Sequence, residues 1–170
     1  MGAARREEEH GYALYATQAI QAGEVIERYE EQPHPLVSKT HILKHWESVQ
    51  KHWFPRYAYP LTDEVWVMWS EDPMQWKPIN HSCDPNAWLE GLDVVARRTI
   101  LPGEEITLDY ATFCHETMPE FVCQCGSATC RGVIRGTDSL RPLVQRYGDH
   151  ISDYVRMKRQ GMKEADCLAS

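Results

Sequence analysis

Apolar residues along the chain come in short alternating bursts more often than in long helical stripes. Residues 12–16, "YALYA", and 25–29, "VIERY", predict strands. Between them lies Gln21-Ala22-Gly23-Glu24, where the glycine suits a turn needing a positive φ. A similar phrase recurs, "IQAGEVI" at 20–26 and "ILPGEEI" at 100–106. A solenoid needs several adjacent repeats, so two distant copies predict two similar turns, each leading into a strand. Further strand patterns lie at 56–61 and 64–69, separated by Thr62-Asp63, and residues 87–89 and 92–96 predict a hairpin around Glu90-Gly91.

Helical spacing is confined to two places. Over residues 38–53, Ile42, Leu43, Trp46, Val49 and Trp53 share one face, with Ser38 or Thr40 as the N-cap. Near the C-terminus Leu140, Leu143, Val144 and Tyr147 keep the period, as do Ile151, Tyr154 and Val155, and Gly161 ends the pattern. Residues 1–9 are small and charged and read as a disordered lead-in. Many short strands with one helical insert and a helical tail predict a mainly β domain.

Composition narrows the function. At 170 residues with 42% hydrophobic and 25% charged, the chain suits one globular domain with a real core. A net charge of −7 argues against nucleic-acid binding, which needs a basic surface, and favours a basic partner. No apolar run reaches the ~18 residues of a membrane span, and no signal-peptide stretch opens the sequence. A nuclear or cytoplasmic setting is therefore expected. There, six unevenly spaced cysteines suggest metal binding more than disulfides.

Cys123, Cys125 and Cys130 can bring three thiolates together if the chain wraps at Gly126-Ser127. Zinc prefers a tetrahedral set, so such a trio recruits a fourth ligand. Cys83, Cys114, Cys167 and His115 are the candidates on composition, and buried free thiols are the alternative.

The surroundings carry more. "NHSCDPN" at 80–86, "GEEITLDYA" at 103–111 and "FVCQCGSATCRG" at 121–132 together resemble the SET-domain protein-lysine methyltransferases with a cysteine-rich post-SET segment. "GYALYAT" at 11–17 is similar to the family's glycine-rich cofactor motif. The resemblance runs over roughly residues 11–132, in the family's order. It implies a SET fold of several small sheets, with a pseudoknot-like C-terminal core, a short helical insert, a zinc-bound post-SET segment and C-terminal helices. The implied division is a lead-in at 1–10, a SET domain at 11–112 with its insert at about 38–54, a post-SET segment at 113–136 and a helical tail at 137–170.

The resemblance also implies roles. Cys83 joins Cys123, Cys125 and Cys130 on one structural zinc, leaving Cys114 as a packed thiol and Cys167 in a loose tail. S-adenosyl-L-methionine is the implied methyl donor, held by Asn80, by His81 and by the backbone of Gly11, Tyr12 and Ala13. Taken alone, Asn80 would read as a turn cap and His81 as a core histidine. Ala13 stands where the family keeps a second glycine, which is harmless if φ there is negative. Tyr110 falls at the family's catalytic tyrosine. Leu108 falls where an aromatic residue tunes how many methyls fit, and by the two-residue period shares a strand face with Ile106 and Tyr110. Tyr57 and Tyr59, also two apart, are candidates for the lysine channel.

Methylating a lysine requires its neutral amine, and a free lysine with a pKa near 10.4 resists deprotonation by about 4 kcal/mol at neutral pH. A dry aromatic channel beside a cationic sulfonium lowers that pKa by desolvation and like-charge repulsion. Such a site needs tyrosines more than an acid–base pair. The expected partner is a lysine-containing protein or peptide, with a histone tail well matched to the acidic surface. The competing expectation is a non-catalytic SET module that binds a partner peptide.

Overall fold

The computed structural model describes residues 2–8, 11–29, 34–48, 51, 54, 58–68, 79–116 and 118–168. These build small sheets with few helices, as the pattern predicts. Strand β1 (Ala3–Glu8) pairs antiparallel with β2 (Gly11–Ala16). Strand β3 (Val25–Glu27) lies beside β9 (Asp93–Ala96), which pairs with β8 (Ala87–Glu90) in the expected hairpin. In the third sheet β6 (Val65–Val67) is flanked by β4 (Leu36–Ser38) and β5 (Tyr59–Pro60). Strands β7 (Asn80–His81) and β10 (Thr107–Leu108) form a parallel pair, and β11 (Phe121–Val122) and β12 (Val133–Ile134) close a last small ribbon.

The two similar turns meet. Ile20 and Ile100, which open the repeated phrases, exchange both backbone hydrogen bonds at 2.9 Å. Gly23 and Gly103 follow at φ +83° and +84°, with nothing within 4 Å of an added Cβ at either. The glycines answer to backbone conformation there, not to crowding. Glu24 accepts from the Gln21 amide and Glu104 from the Leu101 amide, so each turn is closed by its own carboxylate. Around this junction Leu14, Ile20, Val94, Ile100, Ile106 and Leu108 form the main core.

Several elements differ from expectation. Residues in the expected lead-in form β1, because pairing to β2 satisfies a backbone that composition alone left unassigned. The helical insert begins as α1 (Lys39–His45), with Ser38 as its cap accepting from the His41 amide at 3.1 Å. Thr40 instead donates its hydroxyl to Glu64, whose carboxylate also takes the Thr40 amide. Ile42 is buried against Phe54, Ala58 and Trp66, but Leu43 is 58% exposed, off the predicted face. Val49 and Trp53 lie outside the described residues.

The tail is helical in two ways. Its first part is a pair of 3₁₀ turns, Gly136–Leu140 and Pro142–Tyr147, and its second is α2 (Asp153–Leu168). Gly161 does not end α2. A mid-helix glycine costs only about 1 kcal/mol, less than tertiary packing returns. That packing centres on Asp63, which accepts from the Tyr154 hydroxyl at 2.8 Å and from Lys158 Nζ at 2.7 Å. Among the described residues no helix is long and apolar enough to cross a membrane.

Candidate functional site

The parallel pair assembles the site. Register places Thr107 beside Asn80 and Leu108 beside His81, and parallel pairing requires the chain between them to cross over. Asn86, 3% exposed, stitches that crossover: its amide donates to the Glu105 carbonyl and its oxygen accepts from the Thr107 amide. Strand β10 ends at Leu108, and Asp109 caps a 3₁₀ turn over Tyr110–Thr112. The two-residue alternation therefore stops before Tyr110. Ile106 and Leu108 do share a face, and both are buried in the main core.

Tyr110 turns back onto the other strand. Its hydroxyl donates to the Ile79 carbonyl at 3.0 Å, and its amide donates to His81 Nδ1 at 3.2 Å. Phe113 and Phe121 meet its ring edge-on. Burial pushes His81 down to about 4, against the opposing pull of Asp109, so the ring is neutral at neutral pH. Nδ1 thus accepts from Tyr110, while Nε2 lies between Cys83 Sγ at 3.4 Å and the Arg131 guanidinium at 3.2 Å.

Asn80 donates to the Tyr12 carbonyl at 3.2 Å and to Glu105 at 2.8 Å. Both amide hydrogens are thus used within the chain, which leaves Oδ1 as the remaining polar atom of the side chain. Gly11, Tyr12 and Ala13 lie on β2, where Ala13 is 1% exposed. Among the described residues no residue other than glycine has positive φ, so Ala13 is unstrained.

The four sulfurs of Cys83, Cys123, Cys125 and Cys130 all lie within 4.8 Å of one another. Cys83 and Cys123 are 3.9 Å apart, close to the ~3.8 Å edge of a tetrahedron with metal–sulfur bonds of about 2.3 Å. Gly126, at φ +67°, makes the wrap between the late cysteines. Burial pushes the Cys83 and Cys123 thiols up, a penalty that a divalent cation reverses. Burial also acts on Cys125, but hydrogen bonds from Ser127 and from backbone amides outweigh it and bring that thiol to about 6. Cys114 and His115 stand apart from this set. Burial raises the Cys114 thiol, and His115 is bonded to Ser139.

Tyr59, an expected channel residue, lies one ring back from Tyr110. Tyr59 is 6% exposed, stacked on Phe113 at 5.2 Å and packed in the main core. Phe113 in turn meets the Tyr110 ring edge-on, and a two-residue period by itself does not tell a channel face from a core face. Tyr57 lies outside the described residues.

Sequence reasoning missed Asp109. Its carboxylate, 1% exposed, accepts two bonds from Arg131, at 2.7 and 3.1 Å, and one from the Tyr147 hydroxyl at 2.8 Å. Arg146 approaches the same carboxylate at 3.4 Å and also donates to the Cys83 carbonyl. Burial, then the carboxylate itself, push the Tyr147 phenol above its usual range, which keeps it a donor. A buried "LDY" aspartate with two arginines downstream was the available signal, but nothing local pairs them.

A domain of small sheets built on such a parallel crossing, with asparagine, histidine and tyrosine at its junction and a thiol cluster beside it, has the architecture of a SET domain. The chain belongs to that family: the family model described as SET domain matches residues 11–111. It is similar to the histone-lysine N-methyltransferase trithorax of Drosophila virilis, 32% identical over 131 residues, covering 72% of this chain and 3% of that protein. It is also similar to the H3 lysine-4 specific histone-lysine N-methyltransferase of Cryptococcus neoformans, 33% identical over 133 residues, 72% of this chain and 9% of that protein. Similarity to the H3 lysine-36 specific enzyme of Saccharomyces cerevisiae is 27% over 164 residues, 90% of this chain and 22% of that protein. The chain thus spans less than a quarter of the length of these three relatives.

Proposed function

We propose that this SET domain transfers a methyl group from S-adenosyl-L-methionine to the side-chain amine of a lysine in a histone or another lysine-rich protein. One observation carries the reading: Asn80, His81 and Tyr110 converge across the parallel pair, with the Tyr110 phenol fixed on the Ile79 carbonyl. When bound, the cofactor supplies an electrophilic sulfonium methyl. Asn80 offers its Oδ1, an acceptor suited to the ammonium of an amino-acid ligand. The backbone of Gly11, Tyr12 and Ala13 borders the same place through the Tyr12 carbonyl that Asn80 holds.

Tyr110 orients the incoming amine with its phenol oxygen, while Phe113 and Phe121 around its ring exclude water. Exclusion of water lowers the pKa of a lysine amine towards its neutral, nucleophilic form. Leu108 and Tyr57 are the residues we assign to product state and channel wall; Tyr59 contributes from behind, by stacking on Phe113. Leucine at 108 has no hydroxyl to hold a water against a growing methylamine, which favours product beyond monomethyl-lysine.

Cys83, Cys123, Cys125 and Cys130 hold one structural zinc in this reading, and the metal fixes the post-SET segment against His81. The non-catalytic alternative drew on Ala13, and its unstrained backbone supports the catalytic reading instead. A histone substrate places the protein in the nucleus. Two of the relatives named above are, by their names, specific for H3 lysine 4 and for H3 lysine 36. The test is transfer of a radiolabelled methyl from the cofactor to core histones and to a lysate, with mass spectrometry of the products. No labelled lysine in either, from protein that binds the cofactor, rejects the reading.

A further inference from the structure

Arg131 touches three groups that belong to different parts of the site. Its amide donates to Cys83 Sγ at 3.3 Å. Its guanidinium, 8% exposed, grips Asp109 with two bonds and stands 3.2 Å from His81 Nε2. Asp109 accepts from the Ala111 amide at 3.1 Å, and His81 accepts from the Tyr110 amide. One side chain therefore abuts both groups that hold the turn carrying Tyr110, while its own backbone reads a sulfur of the cluster.

We propose that Arg131 is a positioning residue that makes the placement of Tyr110 depend on the state of the cysteine cluster. The physical path is short. A cation bound by the four sulfurs fixes Cys83 Sγ in place, and with it the acceptor of the Arg131 amide. That fixes the Arg131 backbone, and the planar fork of its guanidinium then sets Asp109 with two parallel bonds. Asp109 in turn caps the turn at Ala111. Without the cation, the thiols repack, the anchor at Cys83 loosens, and the fork no longer holds Asp109 in one place. The zinc segment thereby acts on the tyrosine directly, beyond covering the site.

The inference rests on the cluster binding a metal, not on methyl transfer being the reaction, so its test needs no substrate. The Tyr110 and Ala111 amides report His81 and Asp109 respectively, and their hydrogen exchange is read by NMR in metal-free and zinc-loaded protein. Zinc is expected to slow exchange at both by tenfold or more, while the Ile20 and Ile100 amides, bonded to each other's strands, change little. Arg131→Gln is expected to bind zinc yet lose that slowing, and Arg131→Lys to regain part of it. Asp109→Asn, which keeps an oxygen for Ala111 but weakens the grip of Arg131, gives the same test from the other end.

Zinc uptake with unchanged Tyr110 and Ala111 exchange overturns the relay while leaving the metal reading intact. So does an Arg131→Gln protein that keeps the full zinc effect. Loss of protection at Ile20 and Ile100 on metal removal also overturns it, because the metal would then hold the whole fold. A chain that takes up no zinc overturns the metal reading and the relay together.

Discussion

The Tyr110 hydroxyl donates to the Ile79 carbonyl at 3.0 Å, one residue before the Asn80-His81 pair. The bond aims the phenol from the turn after one strand of the parallel pair at the root of the other. Tyr110→Phe removes the phenol and keeps the ring against Phe113 and Phe121. Turnover is expected to fall on the order of 100-fold, the usual effect of losing one preorganised polar group, while cofactor affinity stays near native. Single-turnover rates and calorimetry check the two halves separately. A native rate would make Tyr110 structural only.

Metal removal is expected to be local but severe. Cys83→Ser should weaken zinc at least about 100-fold, beyond the effect of losing a group outside the ligand set. Metal analysis of protein purified without chelator should find a single zinc per native chain and a deficit in the variant. A Cys83→Ser protein with full zinc and full activity removes Cys83 from the cluster.

Gly136 is held by space. A Cβ there would lie 2.2 Å from the His115 carbonyl oxygen, a backbone atom that cannot swing aside. Gly136→Ala should cost roughly 3 kcal/mol, a large overpacking penalty. For a chain of this size that lowers Tm by roughly 6–12 °C. Gly23→Ala offers the contrast, since nothing crowds that Cβ and only its φ opposes the change. A thermal melt of Gly136→Ala matching native protein would show that the 3₁₀ turn moves freely off His115.

His115 gives a pH signature. It is 4% exposed and bonded through Nδ1 to the Ser139 hydroxyl, which itself donates to the Gly136 carbonyl. Burial holds its pKa below the usual value, Glu116 and Asp63 oppose that, and Lys158 adds to it. A depressed folded pKa means the unfolded chain takes up the proton first as pH falls. Its contribution is therefore complete above the unfolded value near 6.5 and is lost as pH drops below it. His115→Gln should show a smaller loss of Tm between about pH 7.5 and about pH 5.5 than native protein. Equal losses would assign the acid sensitivity elsewhere.

Leu108 tests the product state. Leu108→Tyr should shift product towards monomethyl-lysine, by offering a hydroxyl that can hold a water. The site is packed, with Leu108 5% exposed, so the variant should also lose about 1–3 kcal/mol. Time-resolved mass spectrometry reads the methyl count and a denaturant melt the cost. A native enzyme that stops at one methyl with cofactor in excess would move that control away from Leu108.

What the sequence disclosed was whatever depends on near neighbours. Gly23, Gly91 and Gly103 announced their turns because a positive φ is a demand of one residue, and each is met. The convergence of Cys83 with the three late cysteines was legible through the motif, and the sulfurs do gather. Asp109 and Arg131 stayed hidden because their pairing spans 22 residues and neither position has a periodic signature. Tyr59 posed a related problem. Alternation says that two residues share a face, not whether that face looks at a channel or at Phe113. Strand β1 was missed because charged residues next to an N-terminus give no apolar alternation, although β2 supplies the pairing.

The parallel pair has a consequence for how the chain reaches its working state. Hairpin β8–β9 closes over Gly91 between neighbouring residues, whereas Asn80 meets Thr107 only after everything between them has been laid down. Non-local contacts of that kind form late, after the entropy of closing the loop has been overcome. Asn80, His81 and Tyr110 should thus be among the last residues to lock during refolding. A chain that stalls midway would own its hairpins but no working centre. Recovery of function after denaturation then becomes a clock for the final step of folding, ticking later than any signal from the strands.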